Sequence, residues 1–366
     1  MPSKILPPNI LATRHRWGLP RKVFITAVIA AIIALHTTNG LTPARAATPA
    51  SAPTSTSESA SEIYGCTTKD NIVSCKDVWF ASPKINNGYQ RLYMNIYLPA
   101  DRPGPHPLLI YVHGGGYVVG NRYNCPGEMT AARGYALACI EYRYSYQAVF
   151  PAQIYDVKRS IRWLRAHAGT YNVDPNRFGI WGDSSGGHLA ALAGASNGYA
   201  ELEGPYGYLT TSSDVQAVAD WYGPTDFTQV PAAFEAPLTW PVQDAIEDTY
   251  GYWPWYTYTV ITNLLVGGPV SQHLDLAWWA NPLTFVDPTD PPFFILHGEQ
   301  DDVVPVSQSQ RLSDWLGANG VPVTFVRESW RGHTPSDQGY DDGSYGHWTI
   351  EMTMQFFDNV LVYAGQ

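Results

Sequence analysis

The sequence predicts an α/β fold in which a mostly parallel central sheet carries helices on both faces. Apolar strand-like runs alternate with helix-like segments through most of the chain, an order typical of parallel sheets covered by helices. Two of these runs, 108–112 and 135–142, suit central strands that are buried on both faces. Helical spacing then links the apolar residues Ile154, Val157, Ile161, Leu164 and Ala168.

The other elements continue this alternation. Strands at 78–81 and 91–98 open the sheet, and the second one alternates so that Leu92, Met94, Ile96 and Leu98 share one face. Further strands are predicted at 177–181, 215–221, 293–296 and 323–326. Further helices are predicted at 188–194, 307–318 and 349–362.

Residues 225–280 interrupt the alternation and are rich in aromatic side chains, notably from Tyr250 to Tyr258 and at Trp278 and Trp279. We interpret this insertion either as a lid over an active site or as a helical excursion packed against the domain. Both interpretations stay open, because exposed and core aromatic residues look alike in a sequence.

The N-terminal residues predict a secretory signal peptide at 1–46. A basic segment ending at Lys22 precedes an apolar run at 23–35, and Ala44-Arg45-Ala46 is a small-x-small cleavage signal. The run is shorter than the roughly 20 residues that span a bilayer, although a retained membrane anchor at 23–35 is the alternative. Residues 47–61 lack large apolar side chains and predict a flexible linker, which leaves 62–366 as the folded domain.

The charge of the chain limits its partners. The formal net charge is −10, and 1–46 contains six Lys or Arg residues and no acidic ones, so cleavage would change the charge to about −16. Such an acidic surface argues against nucleic acid and anionic membranes as partners, and we expect no stable membrane insertion of the mature chain.

Four cysteines lie beyond the predicted signal peptide. In an oxidising compartment an even number predicts two disulfides. Cys66 and Cys75 flank a hairpin-like stretch and are expected to pair, which leaves Cys125–Cys139 by elimination. A buried free thiol at Cys139 is equally reasonable, because this residue lies in the middle of a strand. No cysteine spacing resembles a zinc site, and we expect no metal.

The motif Gly182-Asp183-Ser184-Ser185-Gly186 lies between a predicted strand and a helix of small residues. Gly-x-Ser-x-Gly in this context is typical of the nucleophile elbow of α/β-hydrolases, where glycine permits a turn that flanking side chains would obstruct. Ser184 is therefore the candidate nucleophile.

A serine nucleophile needs a base and an orienting acid, which follow it in the order Ser, acid, His in this fold. Asp301 follows the strand at 293–296 and is the candidate acid, with Asp302 as the alternative. His333 lies on the loop after the strand at 323–326 and is the candidate base. His347, at the start of the last helix, is its competitor.

The oxyanion hole is predicted after the strand at 108–112, where three consecutive glycines let successive N–H groups point to one place. We assign it to the N–H groups of Gly115 and Gly116, joined by that of Ser185. His113 is expected to brace this loop and His188 to pack beneath the site. The other histidines considered, His106, His167 and His273, have no chemical context.

Eight motifs resemble, in order, esterases of the hormone-sensitive-lipase-like and bacterial feruloyl-esterase-like (BD-FAE-type) group. They begin at His113, Glu141, Phe150, Trp163, Asp174, Gly182, Asn281 and His297. The resemblance covers about 88–362 and implies an α/β-hydrolase fold, ester hydrolysis without a cofactor, and the roles given above for Ser184, Asp301 and His333. Arg143 and Asp156 also belong to the motifs and are expected to form a structural charge pair.

These observations predict a secreted serine esterase that works through an acyl-enzyme. The resemblance suggests short acyl, feruloyl or aryl esters, including esters on plant polysaccharides, as small-molecule or polysaccharide-linked substrates. The rivals are a secreted serine peptidase or amidase on the same fold, and an inactive hydrolase fold that serves as a binding protein.

Overall fold

A computed structural model describes residues 65–229, 252–329, 331–333 and 347–363, apart from the side chains of 252–257 and 347. The chain divides into two units, Met1–Thr56 and Ser57–Gln366, and every described residue belongs to the second. The signal peptide at 1–46 and the linker at 47–61 lie outside the described residues and stay predictions.

A nine-stranded sheet forms the centre of the described part of the second unit. Its strands are β1 (Thr67–Lys69), β2 (Ile72–Ala81), β5 (Leu92–Pro99), β6 (His106–Val112), β7 (Ala136–Ile140), β8 (Val173–Asp183), β9 (Ala217–Trp221), β10 (Phe293–Gly298) and β11 (Val323–Glu328). A separate hairpin pairs β3 (Lys84–Ile85) with β4 (Gly88–Tyr89).

The spatial order of the large sheet is β1-β2-β5-β7-β6-β8-β9-β10-β11. From β7 to β11 all neighbouring strands are parallel, whereas β1, β2 and β5 pair antiparallel, and β5 is also antiparallel to β7. The mostly parallel sheet predicted from the sequence is therefore confirmed.

Alternate residues of the central strands point to opposite faces of the sheet, as the two-residue period of a strand requires. On β6, Ile110 belongs to one apolar core and Leu109 to the other. Both cores are buried, which explains why the central strands are apolar at consecutive positions.

Helices cover both cores. They are α1 (Gly127–Ala132), α2 (Ala152–Ala166), α3 (Ser185–Ala195), α4 (Tyr252–Val266), α5 (Leu274–Ala280), α6 (Ser307–Ala318) and α7 (His347–Phe357), which continues as a π-helical turn at Asp358–Val362. Short 3₁₀ helices lie at Ala200–Leu202, Phe227–Gln229, Val270–Gln272 and Pro282–Thr284. Buried residues of α2, α3 and α6 pack in one core, whereas those of α1 and α7 pack in the other. The predicted two-sided helical cover is confirmed.

Several boundaries differ from the prediction. The opening strand is longer than 78–81, because β2 begins at Ile72 and pairs with β1 before it reaches β5. Helix α1 and the β3–β4 hairpin were not predicted. Helix α1 has six residues and follows Pro126, so it is too short to show helical periodicity.

The described part of the insertion at 225–280 packs against the domain. Tyr258 on α4 is buried and donates a hydrogen bond to the carbonyl oxygen of Asp226 at 2.6 Å. Trp278 on α5 is 50% exposed and lies edge-on to Trp279. Residues 230–251 lie outside the described residues, so the lid remains a prediction.

Both predicted disulfides are present. Cys66–Cys75 and Cys125–Cys139 have Cα–Cα distances of 4.1 and 6.3 Å, so all four cysteines are paired. The alternative of a free thiol at Cys139 is therefore wrong. The second bridge fastens β7 to the loop that leads into α1.

Arg143 and Asp156 form the expected charge pair between the end of β7 and helix α2. Two guanidinium nitrogens of Arg143 lie 2.7 and 2.9 Å from the carboxylate oxygens of Asp156.

Within the described residues, none of the helices is both long and apolar enough to span a bilayer. The alternative anchor at 23–35 lies outside those residues.

Candidate active site

The candidate active site lies where the strand order reverses. From β6 the chain moves to β7 on one side, and from β8 it moves through β9 and β10 to β11 on the other. At such a reversal the carboxyl ends of parallel strands leave a crevice that commonly binds ligands. The glycine-rich loop after β6 and Ser184 after β8 border this crevice.

Ser184 occupies a sharp turn between β8 and α3. Its φ and ψ angles are 52° and −122°, a backbone conformation with positive φ that residues other than glycine rarely adopt. Glycine is required on both sides, because a Cβ at Gly182 would overlap Gly186 O and one at Gly186 would overlap Val112 O. The Ser184 N–H donates to Trp221 O at 2.8 Å, which fastens the turn to β9.

The structure brings Ser184, His333 and Asp301 together in a chain of hydrogen bonds. Ser184 Oγ lies 2.9 Å from His333 Nε2, and His333 Nδ1 lies 2.8 Å from Asp301 Oδ2. An ionised carboxylate only accepts hydrogen bonds, so Nδ1 carries the proton and Nε2 is free to accept from the serine hydroxyl. This arrangement can generate a serine nucleophile.

The electrostatics of the pair match that role. Burial lowers the pKa of His333, but the charge and the hydrogen bond of Asp301 more than offset it, so that the pKa is raised. Burial likewise raises the pKa of Asp301, and the opposing effects of His333 and His297 leave it below its ordinary value. Asp301 is therefore ionised and His333 can accept a proton near neutral pH.

The backbone holds Asp301 in place. Its Oδ1 accepts the N–H groups of Val303 and Val304, each at 2.8 Å. The alternative acid, Asp302, is exposed and is not among the hydrogen-bond partners of His333. The alternative base, His347, begins α7, but its side chain is not among those described.

The loop after β6 presents the N–H groups of the predicted oxyanion hole. Gly114 is fixed from both sides: its N–H donates to Asp183 Oδ1 at 3.0 Å, and its carbonyl accepts from His113 Nδ1 at 2.8 Å. Among the described residues, the N–H groups of Gly115 and Gly116 have no acceptor. Ser185 opens α3, where first-turn N–H groups have no partner within the helix. All three can donate to a negatively charged oxygen.

Helix α4 of the insertion reaches this loop. The side chain of Ile261 packs against Gly116 so closely that a Cβ at Gly116 would lie 3.2 Å from it. Gly116 also has a φ of 59°, which favours glycine. The described part of the insertion therefore packs against the site.

His113 and His188 occupy supporting positions. His113 is buried and stacks on Tyr142 at 4.5 Å, and burial lowers its pKa to about 4. His188 lies between Tyr117 Oη at 2.9 Å and Ala280 O at 2.7 Å, and burial lowers its pKa to about 4 as well. Both are neutral near pH 7, which suits them to bracing the site rather than to proton transfer.

Two residues that support the site were not predicted, Asp183 and Tyr222. Asp183 links the elbow to the glycine-rich loop and also accepts from Tyr111 Oη at 2.7 Å. Tyr222, directly after β9, lies edge-on to the His333 ring with centroids 4.9 Å apart. Asp183 was visible only as an unspecified position of the Gly-x-Ser-x-Gly motif, and the sequence gives no comparable signal for Tyr222.

The chain is similar in sequence to curated proteins that are named as esterases. The curated relatives include the probable carboxylic ester hydrolase LipM of Mycobacterium tuberculosis, 30% identical over 64% of this chain and 50% of its own length. The esterase LipQ of the same organism is 32% identical over 63% of this chain and 50% of its own length. The chain thus spans about half the length of these relatives.

Solved structures of similar proteins share the fold. A truncated carbohydrate esterase from gut microbiota is 29% identical, with a TM-score of 0.62 over 80% of this chain and 98% of that one. A bifunctional GH43-CE protein of Bacteroides eggerthii is 31% identical, with a TM-score of 0.63 over 78% of this chain and 38% of that one. Because residues 94–316 match the BD-FAE family profile, the chain belongs to the BD-FAE family of α/β-hydrolase esterases.

Proposed function

We propose that the protein is a secreted serine carboxylic-ester hydrolase. The observation that carries this proposal is the hydrogen-bonded chain from Ser184 Oγ through His333 to Asp301, beside N–H groups that can receive an oxyanion. The relatives named as esterases support the reaction class.

The reaction proceeds in two steps. Ser184 Oγ attacks the ester carbonyl carbon while its proton passes to His333 Nε2, and the oxyanion accepts hydrogen bonds from the N–H groups of Gly115, Gly116 and Ser185. The imidazolium then protonates the leaving alkoxide, which leaves an acyl-enzyme. Water gives a proton to Nε2 and attacks the acyl carbonyl, and return of that proton to Ser184 releases the acid.

An aromatic surface made of Tyr144 and Tyr146 supports a carbohydrate-linked ester as the substrate. Both residues follow β7 at the carboxyl edge of the sheet, and Tyr144 Oη donates to Gly120 O in the glycine-rich loop. The two rings lie 5.5 Å apart, and Tyr146 is 44% exposed. Exposed tyrosines offer an apolar face to a sugar ring and a hydroxyl to its polar groups.

Amide side chains border this aromatic surface. Asn86 Nδ2 donates to Tyr146 O at 3.1 Å, and Gln147 Oε1 accepts from Tyr144 N–H at 2.9 Å. These contacts fix the backbone that carries the rings, so little conformational entropy is lost when a glycan binds. The solved relative named as a carbohydrate esterase supports the same substrate class. We propose short acyl, feruloyl or aryl esters, including those on plant polysaccharides.

A substrate panel separates this proposal from its rivals. An esterase hydrolyses p-nitrophenyl acetate or methyl ferulate, whereas a serine peptidase or amidase on the same fold cleaves aminoacyl anilides. An inactive binding protein acts on neither. Hydrolysis of the esters that is lost in Ser184→Ala, without cleavage of the anilides, supports the proposal. Cleavage of the anilides favours the peptidase, since a serine peptidase can hydrolyse activated esters as well.

Secretion is part of the proposal. The predicted cleavage signal at Ala44-Arg45-Ala46 and the two disulfides suit an oxidising compartment outside the cytoplasm. Expression of the full chain should release a protein whose N-terminal residue is Ala47. Retention in the membrane fraction with residues 23–35 intact would instead favour the anchored alternative.

A further inference from the structure

A second histidine contacts the acid of the candidate triad. His297, on β10, is fully buried, and its Nε2 lies 3.0 Å from Asp301 Oδ2, the oxygen that also binds His333 Nδ1. The same nitrogen lies 3.0 Å from Val304 O. The other ring nitrogen, Nδ1, lies 2.7 Å from Ser309 Oγ on α6.

These neighbours fix the tautomer of His297. A carboxylate oxygen and a carbonyl oxygen can only accept, so Nε2 must carry a hydrogen. The Ser309 hydroxyl can donate to Nδ1, and an imidazole that accepts at one nitrogen is a better donor at the other. With the N–H groups of Val303 and Val304 on Oδ1, the carboxylate of Asp301 is hydrogen-bonded at both oxygens.

We infer that His297 is a positioning residue for the Asp301–His333 pair, which it orients and whose charge it moderates through its Nε2–H, shared between Val304 O and Asp301 Oδ2 at 3.0 Å each. The inference rests on the proposed function, because it assigns His297 to the same catalytic site. His297 acts only through Asp301 and does not touch the substrate.

The direction of the effect follows from charge. A donor to Asp301 Oδ2 withdraws negative charge from the oxygen that stabilises the protonated form of His333. When that donor is lost, Asp301 stabilises the His333 imidazolium more strongly, and His333 loses its proton only at higher pH. Other groups also face the pair: Asp183 and Asp302 face His333, Asp220 faces His297, and the Tyr222 ring contacts both imidazoles. All four remain in the variants proposed below, so the comparison isolates His297.

The test compares kcat/KM for p-nitrophenyl acetate across pH in the full mature protein. His297→Leu removes the donor, and His297→Gln restores an N–H on a side chain of similar reach. Ser309→Ala removes the hydroxyl next to His297 Nδ1 and so makes Nε2–H a weaker donor. His106→Leu is the matched control, because His106 is also a buried strand histidine but lies at the opposite, amino end of β6. The His333 imidazole is followed by NMR in the same samples, independently of turnover.

We expect the acid limb of the His297→Leu profile to move to higher pH, with kcat on the plateau lowered on the order of 10-fold, as for loss of one hydrogen bond to a charged group. His297→Gln should return the limb towards its wild-type position, and His106→Leu should lower Tm without moving it. A limb or NMR titration that does not move in His297→Leu, or that moves to lower pH, overturns the inference.

If His297→Leu does not fold, Ser309→Ala decides by the same criterion, with a smaller shift in the same direction. Failure of the proposed function is distinguishable from failure of this inference. An inactive wild type, or a Ser184→Ala variant with unchanged activity, overturns the proposed function. An active wild type, an inactive Ser184→Ala and an unmoved limb overturn the role of His297 alone.

Discussion

Asp183 Oδ1 accepts the N–H of Gly114 at 3.0 Å, and this hydrogen bond joins the residue before the elbow serine to the loop that carries the proposed oxyanion donors. A Cβ at Gly114 would lie close to the same carboxylate, so the loop after β6 and the elbow approach each other closely here. This contact therefore couples the position of the candidate nucleophile to that of the proposed oxyanion donors.

Asp183→Ala should lower kcat on the order of 100-fold, with a smaller change in KM. Without the carboxylate the glycine-rich loop loses its anchor, and misplacing one oxyanion donor costs about 10²–10³ in rate. Steady-state kinetics on p-nitrophenyl acetate measure the effect. Tyr111→Phe, which removes only the other partner of Asp183 Oδ1, should cost much less. An Asp183→Ala enzyme with wild-type kcat would show that the loop is set by other contacts.

Ser184→Ala should abolish ester hydrolysis and leave the fold intact, because it removes only a hydroxyl from a side chain that is 8% exposed. Loss of a triad member typically costs about 10⁴–10⁶ in kcat. An organophosphonate should label Ser184 in the wild type, and peptide mass mapping would locate the adduct. Circular dichroism checks that the variant is folded. A label on any other residue would contradict the assignment.

The sequence was most informative where a motif follows a strand directly. Ser184 and Asp301 both lie within a few residues of the ends of apolar strands, β8 and β10, and chain order alone predicted which type of residue should follow each strand. The choice of His333 over His347 rested only on the position of its loop after the strand at 323–326, because both histidines follow the acid in the required order.

Two supporting contacts of the site could not be predicted. The Asp183–Gly114 bond depends on the parallel register of β6 and β8, which pairs Val112 with Gly182 and so brings the ends of both strands together. His297 was visible only as part of the motif that contains Asp301. Its contact with Asp301 arises because the turn after β10 folds back over the strand end. The hydrophobic periodicity of the sequence does not predict such a turn.

Removal of the Cys125–Cys139 disulfide should lower the free energy of unfolding. The bridge closes a loop of 14 residues in sequence separation, and loss of such a cross-link costs about 3 kcal/mol in the chain-entropy description. Thermal unfolding of Cys125→Ser/Cys139→Ser should show the lower Tm. Cys66→Ser/Cys75→Ser is the comparison, with a separation of 9. Four free thiols in the denatured, unreduced protein would rule out both bridges.

Tyr146→Ala should raise KM for a polysaccharide-linked ester about 2- to 10-fold, because an aromatic contact contributes about 0.5–1.5 kcal/mol beyond its buried area. The change for p-nitrophenyl acetate should be much smaller, since this substrate has no sugar to stack. Tyr206→Ala is the matched control, because Tyr206 is 63% exposed and its backbone carbonyl contacts Arg162 on α2, outside the site. Equal changes for both substrates would show that Tyr146 does not recognise the glycan.

The pH dependence of kcat/KM tests the base. The neutral imidazole of His333 is the active form, so activity should be lost as pH falls through its pKa. Because Asp301 raises that pKa, the acid limb should lie above the ordinary histidine value of about 6.5.

Variants of the base and the acid then distinguish the candidates. His333→Ala should abolish the limb and lower the rate by orders of magnitude, whereas His347→Ala should keep the shape of the profile. Asp301→Asn should lower kcat by up to about 10⁴, because the amide no longer favours the Nδ1–H tautomer. If His347→Ala were inactive while His333→Ala kept most of its activity, the base would be His347. The esterase proposal would still stand, since either histidine follows the acid in the order that this fold requires.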